Sequence, residues 1–207
     1  QNRRWDNAAI DTKPDYVSAN GLQWQHNRQL IFDAGNVYRK FELLDLDHPT
    51  MGIDAINWDG ERFHAKINED TPRPSYVYDE SAQGAYIIRN SDNSECNTTC
   101  DYAQVHFTLQ TKRQTGEVYL NGDWTYDSFL PAYRMQYDDT HKCYTATIPL
   151  KQGYYSYQYL VMTEGKGCQP IGTEGNFYQT TNKYDVLVYY RGNSDRTDQL
   201  IGWGVTK

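Results

Sequence analysis

Residues 151–191 read KQGYYSYQYLVMTEGKGCQPIGTEGNFYQTTNKYDVLVYYR, and their alternation decides the fold class. Tyr155, Tyr157, Tyr159 and Val161 occupy every second position, and so do Tyr184, Val186, Val188 and Tyr190. Successive strand side chains point to opposite faces, so a period of two in apolar residues marks a half-buried β-strand. A polar, Gly-containing segment with no helical period separates the two runs. The spacing predicts antiparallel β-structure whose aromatic residues are mostly committed to packing. On this reading Tyr184, Val186, Val188 and Tyr190 face a core, whereas Asp185, Leu187 and Tyr189 point the other way. Two large apolar residues on an outer face need a neighbouring domain or a partner, which makes Leu187 and Tyr189 candidate contacts.

Working outward, Ala103, Val105, Phe107 and Leu109 alternate with Gln104, His106, Thr108 and Gln110 in the cleanest strand pattern of the chain. Further strands are expected at 117–120, 134–137, 143–148, 154–162 and 183–190, and in the first half at 30–33, 37–45, 51–58, 62–67 and 85–89. Short strands separated by Gly, Asn and Asp indicate a β-sandwich. Asp33-Ala34-Gly35-Asn36 and Asn57-Trp58-Asp59-Gly60 supply turn chemistry, and Pro72 and Pro74 hold their segment extended or at a sheet edge. No segment shows a convincing amphipathic helix. Residues 90–101, NSDNSECNTTCD, contain no large apolar side chain and read as an exposed linker. The expected fold is mainly β: two immunoglobulin-like, early-set β-sandwich units, a truncated one over residues 1–92 and a second over 102–207.

Composition narrows the function. The 207 residues include 19 Tyr and 5 Trp, which extend a hydrophobic fraction of only 38% because Tyr can fill a thin core while its hydroxyl reaches a polar partner. The net charge of −7 comes without a stripe of Lys and Arg, which argues against nucleic acid. Apolar runs such as Val186 to Tyr190 are strand-sized, far below the ~20 residues of a transmembrane helix. The irregular strand spacing and polar loops argue against a transmembrane barrel as well. With Gln1 in place of an initiator Met, the chain reads as a fragment of a longer protein. In an oxidising compartment Cys96–Cys100 and Cys143–Cys168 could pair; four thiols is the other reading, and spacing does not choose between them.

The residues offer little for catalysis. Asp138/Asp139, Asp45/Asp47 and Asp59/Glu61 could supply a glycosidase acid–base pair, but carboxylates of this kind more often solvate turns between strands. His26, His48, His64, His106 and His141 lie far apart without HExxH spacing. There is no GxSxG and no Gly-rich phosphate loop. Asp92-Asn93-Ser94-Glu95 with Asp101 offers oxygen ligands without the EF-hand pattern, and Asn97-Thr98-Thr99 fits the N-glycosylation sequon. The expectation is a non-enzymatic protein with no catalytic residues, no metal and no cofactor. Aromatic residues near turns are the one binding feature. Trp58, Trp124 and Tyr126 could form a platform for sugar rings, although Trp124 is expected to fold back and cap the sandwich end.

VYLNGDWTYD, followed by YRMQYDDTHKCYTATIPLKQGYYSYQYLV, resembles the early-set immunoglobulin-like domains attached to glycan-active enzymes. A wider resemblance rests on NRRWDNAAIDTKPDY, YRMQYDD, LKQGYYSYQYLV and EGNFYQTTNKYDVLVYYRGNSDRTDQLIGW. Together they are similar to a Bacteroidetes family of exported proteins, a domain of unknown function associated with the type 9 secretion system plug protein. The EGNFYxTxNxY and VYYR stretch is its most specific part. The resemblance implies a periplasmic protein associated with the outer membrane, built from immunoglobulin-like domains. It implies a partner in the outer-membrane protein translocon or another envelope protein, with neither catalytic residues nor cofactors. A carbohydrate-binding β-sandwich is the alternative, with a glycan as ligand.

Overall fold

A computed structural model describes residues 8–80, 82–92, 98–165 and 167–206. Strands hold 43% of the described residues and helix 6%, so the protein is mainly β, as the alternation predicts. In chain order the strands are β1 (Tyr16–Ser18), β2 (Gly21–Gln23), β3 (Arg39–Leu43), β4 (Ile53–Trp58), β5 (Phe63–Ile67), β6 (Tyr86–Ile88) and β7 (Tyr102–Leu109). They continue with β8 (Glu117–Asn121), β9 (Gln136–Asp138), β10 (Cys143–Lys151), β11 (Gly153–Thr163), β12 (Gly167–Pro170), β13 (Tyr184–Tyr190) and β14 (Gln199–Thr206).

One sheet has the order β4-β5-β7-β10-β9. The other is built around the long strand β11, which pairs with β3, β6, β8 and β12. Chain passes from the first sheet to the second at Gln152. The Gln152 side chain donates to Leu44 O at 2.8 Å and accepts from Asp101 N at 3.1 Å, so this buried amide is satisfied at the corner. Gly153 follows because a Cβ there would lie 2.4 Å from the Ile87 carbonyl oxygen. Between the sheets, Phe41 stacks on Tyr155 at 5.3 Å, and Phe107 meets Phe41 and Tyr157 edge-on at 5.7 and 5.4 Å.

The expected division into units over 1–92 and 102–207 needs correction. β5 pairs in parallel with β7, placing Phe63 beside Ala103, and β3 pairs with β11, placing Phe41 beside Tyr155. Phe41, Leu43 and Ile67 therefore share one core with Phe107, Leu120 and Tyr155. The polar segment 90–101 is a surface loop within this sandwich, since polarity reports exposure rather than a domain boundary. Other expectations shift locally. Residues 28–30 form a 3₁₀ turn, and no strand covers 30–33. Cys143 is a buried free thiol, pushed up by burial and not bridged to Cys168, whereas Cys96 lies outside the described residues.

The largest departure concerns residues 184–190. β13 pairs antiparallel with β14 in a two-stranded sheet of its own, outside both layers of the sandwich. Val186, Val188 and Tyr190, expected to face a core, are instead exposed. Among the described residues no helix is long and apolar enough to cross a membrane.

Candidate functional site

The aromatic residues singled out in the sequence do not form one platform. Trp124 is buried: its Nε1 donates to Ser156 O at 3.1 Å, and its ring packs on Phe107, Tyr133 and Tyr155. It is a core residue, too buried to serve as the expected contact. Tyr126 is 76% exposed and stands in the left-handed region (φ 53°), where a non-glycine residue is uncommon. Its hydroxyl lies 3.5 Å from that of Tyr86. Trp58 is 55% exposed and packs against Phe63 at a centroid distance of 4.7 Å. Trp58 ends β4 in the first sheet, whereas Tyr126 follows β8 in the second, so no shared surface joins them to Trp124.

Of the carboxylates weighed for acid–base work, Asp45, Asp59 and Asp138 are turn caps, and Asp139 pairs with Arg113 at 2.6 Å. Asp59 Oδ1 accepts from the Glu61 and Arg62 N–H groups at 2.8 Å, and these bonds with His64 hold its carboxyl down at about 2. His141 and the backbone N–H groups of His141 and Thr140 do the same for Asp138, also at about 2. Asp45 accepts from Asp47 N at 2.8 Å. A general acid needs its pKa raised toward the working pH, and these shifts run the other way. Among the described residues no three or more His, Cys, Asp or Glu converge as a metal site. Asp92 is an exposed loop residue, while Asn93, Ser94, Glu95 and Asn97 lie outside the described residues.

A charged cluster that the sequence did not announce is buried beside β3. Arg39 bonds Asp70 at 2.7 Å and Glu174 at 3.0 Å, and Arg73 also contacts Glu174. Asp70 accepts from the hydroxyls of Tyr157 (2.8 Å) and Tyr159. Burial pulls the Arg39 guanidinium down, but Glu174 and Asp70 outweigh it and leave the pKa raised. Two cations facing two carboxylates make a balanced tie between the extended segment at 70–73 and the second sheet. The cluster is structural, and each charge depends on its partners.

The exposed apolar surface lies on the hairpin β13–β14. Val186, Val188, Tyr189 and Tyr190 on one strand and Leu200, Ile201, Trp203 and Val205 on the other are each 43% to 66% exposed. Leu187, half-buried, sits opposite Trp203, and Tyr189 opposite Leu200 beyond a bulge. Each strand has an edge that pairs with no other described strand. The hairpin is tethered at its base by the stretch that reads EGNFYQTTNKY. Asn176 Oδ1 accepts from Gly35 N at 2.9 Å, Thr180 Oγ1 donates to Gly35 O at 2.8 Å, and Asn182 Nδ2 donates to Ala34 O at 2.9 Å. Phe177 N donates to Gly35 O at 2.8 Å, and Tyr184 packs on Phe32 at 5.7 Å. The Asn and Thr residues of that stretch thus form a seam to residues 32–36. Their clustering at 176, 180 and 182 is the one local sign, but nothing local names the backbone they bind.

A crystal structure of a hypothetical protein from Parabacteroides merdae is similar to this chain, with a TM-score of 0.89 and 38% identity. The likeness covers all of this chain and 53% of that one, so the chain spans about half the length of the solved protein it matches. No family model matches, and no curated protein does.

Proposed function

We propose that this chain is a non-enzymatic interaction module that docks a protein of the bacterial envelope through the hairpin β13–β14. The observation that carries the reading is that hairpin: two strands, apolar on both faces, held to the sandwich mainly at their base. An isolated two-stranded hairpin is marginally stable in water, and contiguous exposed apolar surface usually marks an interaction site. Its unpaired edges offer backbone N–H and C=O groups to which a partner strand can add. Tyr189 and Trp203 combine large apolar area with a polar handle, the composition favoured at contact centres. Of the residues expected as contacts, Leu187 and Tyr189 belong to this surface.

The resemblance to the type 9 secretion plug family suggests a periplasmic site of action. There the partner is the outer-membrane protein translocon, closed from below. The similarity to a protein from a Bacteroidetes species is in keeping with this reading. The tagged chain, used as bait in detergent extracts of the envelope, should recover a large outer-membrane protein. The double variant Tyr189→Asp, Trp203→Asp should lose it while the sandwich stays folded by far-UV circular dichroism. Equal recovery by this variant would sink the docking surface. Clear hits on a glycan array that vanish in Tyr126→Ala would favour the carbohydrate-binding alternative, for which the exposed Tyr126 and Trp58 rings are the remaining observation.

A further inference from the structure

Four side chains form a hydrogen-bonded chain across the outward face of the first sheet, from the β4–β5 turn over β5 and β7 to β10. His64 Nε2 lies 2.8 Å from Asp59 Oδ2, and His64 Nδ1 lies 2.8 Å from His106 Nε2. His106 Nδ1 lies 2.9 Å from Thr147 Oγ1, its register partner. The two rings are within 13° of parallel with centroids 5.1 Å apart. That separation is what the nitrogen–nitrogen distance plus the two ring radii require, so the rings meet edge to edge and head-on.

One assignment of protons satisfies every member. Charged Asp59 accepts from His64 Nε2–H, which leaves His64 Nδ1 as an acceptor. His106 donates its Nε2–H to that nitrogen and accepts at Nδ1 from the Thr147 hydroxyl. A first added proton goes to His106 Nδ1, and the Thr147 hydroxyl turns from donor to acceptor with no bond lost. A second has only His64 Nδ1 to occupy, where two N–H groups then face each other along the same 2.8 Å line. The bond between the rings cannot survive that state.

We propose that the His64–His106 pair is an acid-sensitive latch, holding the β4–β5 hairpin to the sandwich until the pair binds its second proton. The latch bridges β5 and β7. Among the described strands, β4 and β5 join their sheet through β5–β7, the parallel pairing, and parallel ladders are slightly less stable per residue. The surrounding groups do little to hold a doubly charged pair. Lys66, in register with His106, is paired with Asp54 at 3.0 Å. The turn supplies Asp59 with Glu61 and Arg62, β7 supplies Tyr102, Gln104 and Thr108, and β10 supplies Thr147 with Lys151 over the Tyr102 ring. Among the described residues Asp59 is thus the one carboxylate bonded to the pair. Burial and the neighbouring His64 push His106 down, which favours the state with fewer protons at neutral pH.

The test is ¹⁵N-histidine NMR on the whole chain from pH 8 to pH 4, with amide exchange on the same samples. Both rings should be Nε2–H tautomers at the alkaline end, with nitrogen–nitrogen coupling between them. That coupling should persist through the first protonation and vanish with the second. Over the second step, protection of amides 53–67, corrected for intrinsic exchange, should fall at least about tenfold relative to 153–163. In His106→Gln the acid-dependent part of that loss should be absent. Independent titration of the two rings, or double protonation with unchanged protection at 53–67, would overturn the latch, and the wild-type measurement decides this even if the variant does not fold.

Discussion

β11 and β13 carry nearly the same pattern, GYYSYQYLVMT against YDVLVYY, yet lie in opposite surroundings. Tyr155, Tyr157 and Tyr159 of β11 are at most 3% exposed, whereas Val186 and Tyr190 of β13 are more than half exposed. β11 is flanked by four strands and faced by the first sheet, and β13 has β14 alone. Alternation therefore reports that a segment is a strand with one apolar face. Whether that face meets a core depends on what else the chain brings to it, and for β13 this chain brings little.

The largest effect should come from truncating the core on which β11 packs, where Phe107 of β7 meets Tyr157. Phe107→Ala should cost about 3–5 kcal/mol, read as a lower urea midpoint at unchanged slope. Trp203→Ala in the hairpin should stay within about 0.5 kcal/mol, as expected for an exposed residue. Equal costs would end the comparison. Next in size is Asp70→Ala, which leaves Arg39 and Arg73 facing Glu174 alone and two tyrosine hydroxyls without their acceptor, and should cost about 3 kcal/mol or more. Asp54→Ala, which opens the exposed pair with Lys66, should leave the urea midpoint almost unchanged. Asn182→Ala should cost less than Asp70→Ala and act locally, about 1 kcal/mol for its bond to Ala34. Amide exchange should quicken in β13–β14 and not in β11. Exchange rising equally in both would mean that the seam supports the sandwich itself.

The smallest effect should be in pH dependence. Asp59 and Asp138, held near 2 against the usual 3.8, stabilise the fold fully above 3.8 and lose that contribution as pH falls toward 2. His141, raised by its bond to Asp138, works in the other sense: its contribution is complete below 6.5 and is lost as pH rises through the raised value. Asp138→Asn should flatten the change of melting temperature in both windows, and an unaltered profile would show that this turn is not coupled to folding.

Much of the fold could be read locally. The predicted strands at 103–109, 51–58, 62–67, 143–148 and 154–162 fall on β7, β4, β5, β10 and β11 with ends off by a few residues. β14 escaped because Gly202 and Gly204 interrupt QLIGWGVT, and glycine depresses strand propensity even where a strand forms. Of the site, Tyr189 is exposed as its outward position in a strand suggests, whereas Leu187, expected outward, is half-buried between exposed Val186 and Val188. The burial of Trp124 was expected from its residue type, but its place depends on Ser156, which comes 32 positions later. The seam formed by Asn176, Thr180 and Asn182 with residues 34–35 joins partners about 140 positions apart.

By itself, the sequence determined the mainly-β class, the core strands β7 and β11, and the turn-capping role of Asp45, Asp59 and Asp138. Each of these rests on forces that act within a few residues: side-chain alternation, glycine at turns, and a carboxylate folding back on its own backbone. Tertiary structure alone decided that residues on both sides of 90–101 share one core, and that β13–β14 stands apart with its apolar faces open. It alone brought His64 to His106, and Arg39 to Asp70 and Glu174. These depend on pairings between distant strands, where the loss of chain entropy on closing a long loop is offset by burial over the whole interface. That balance is set by all the layers at once and leaves no trace in a local window.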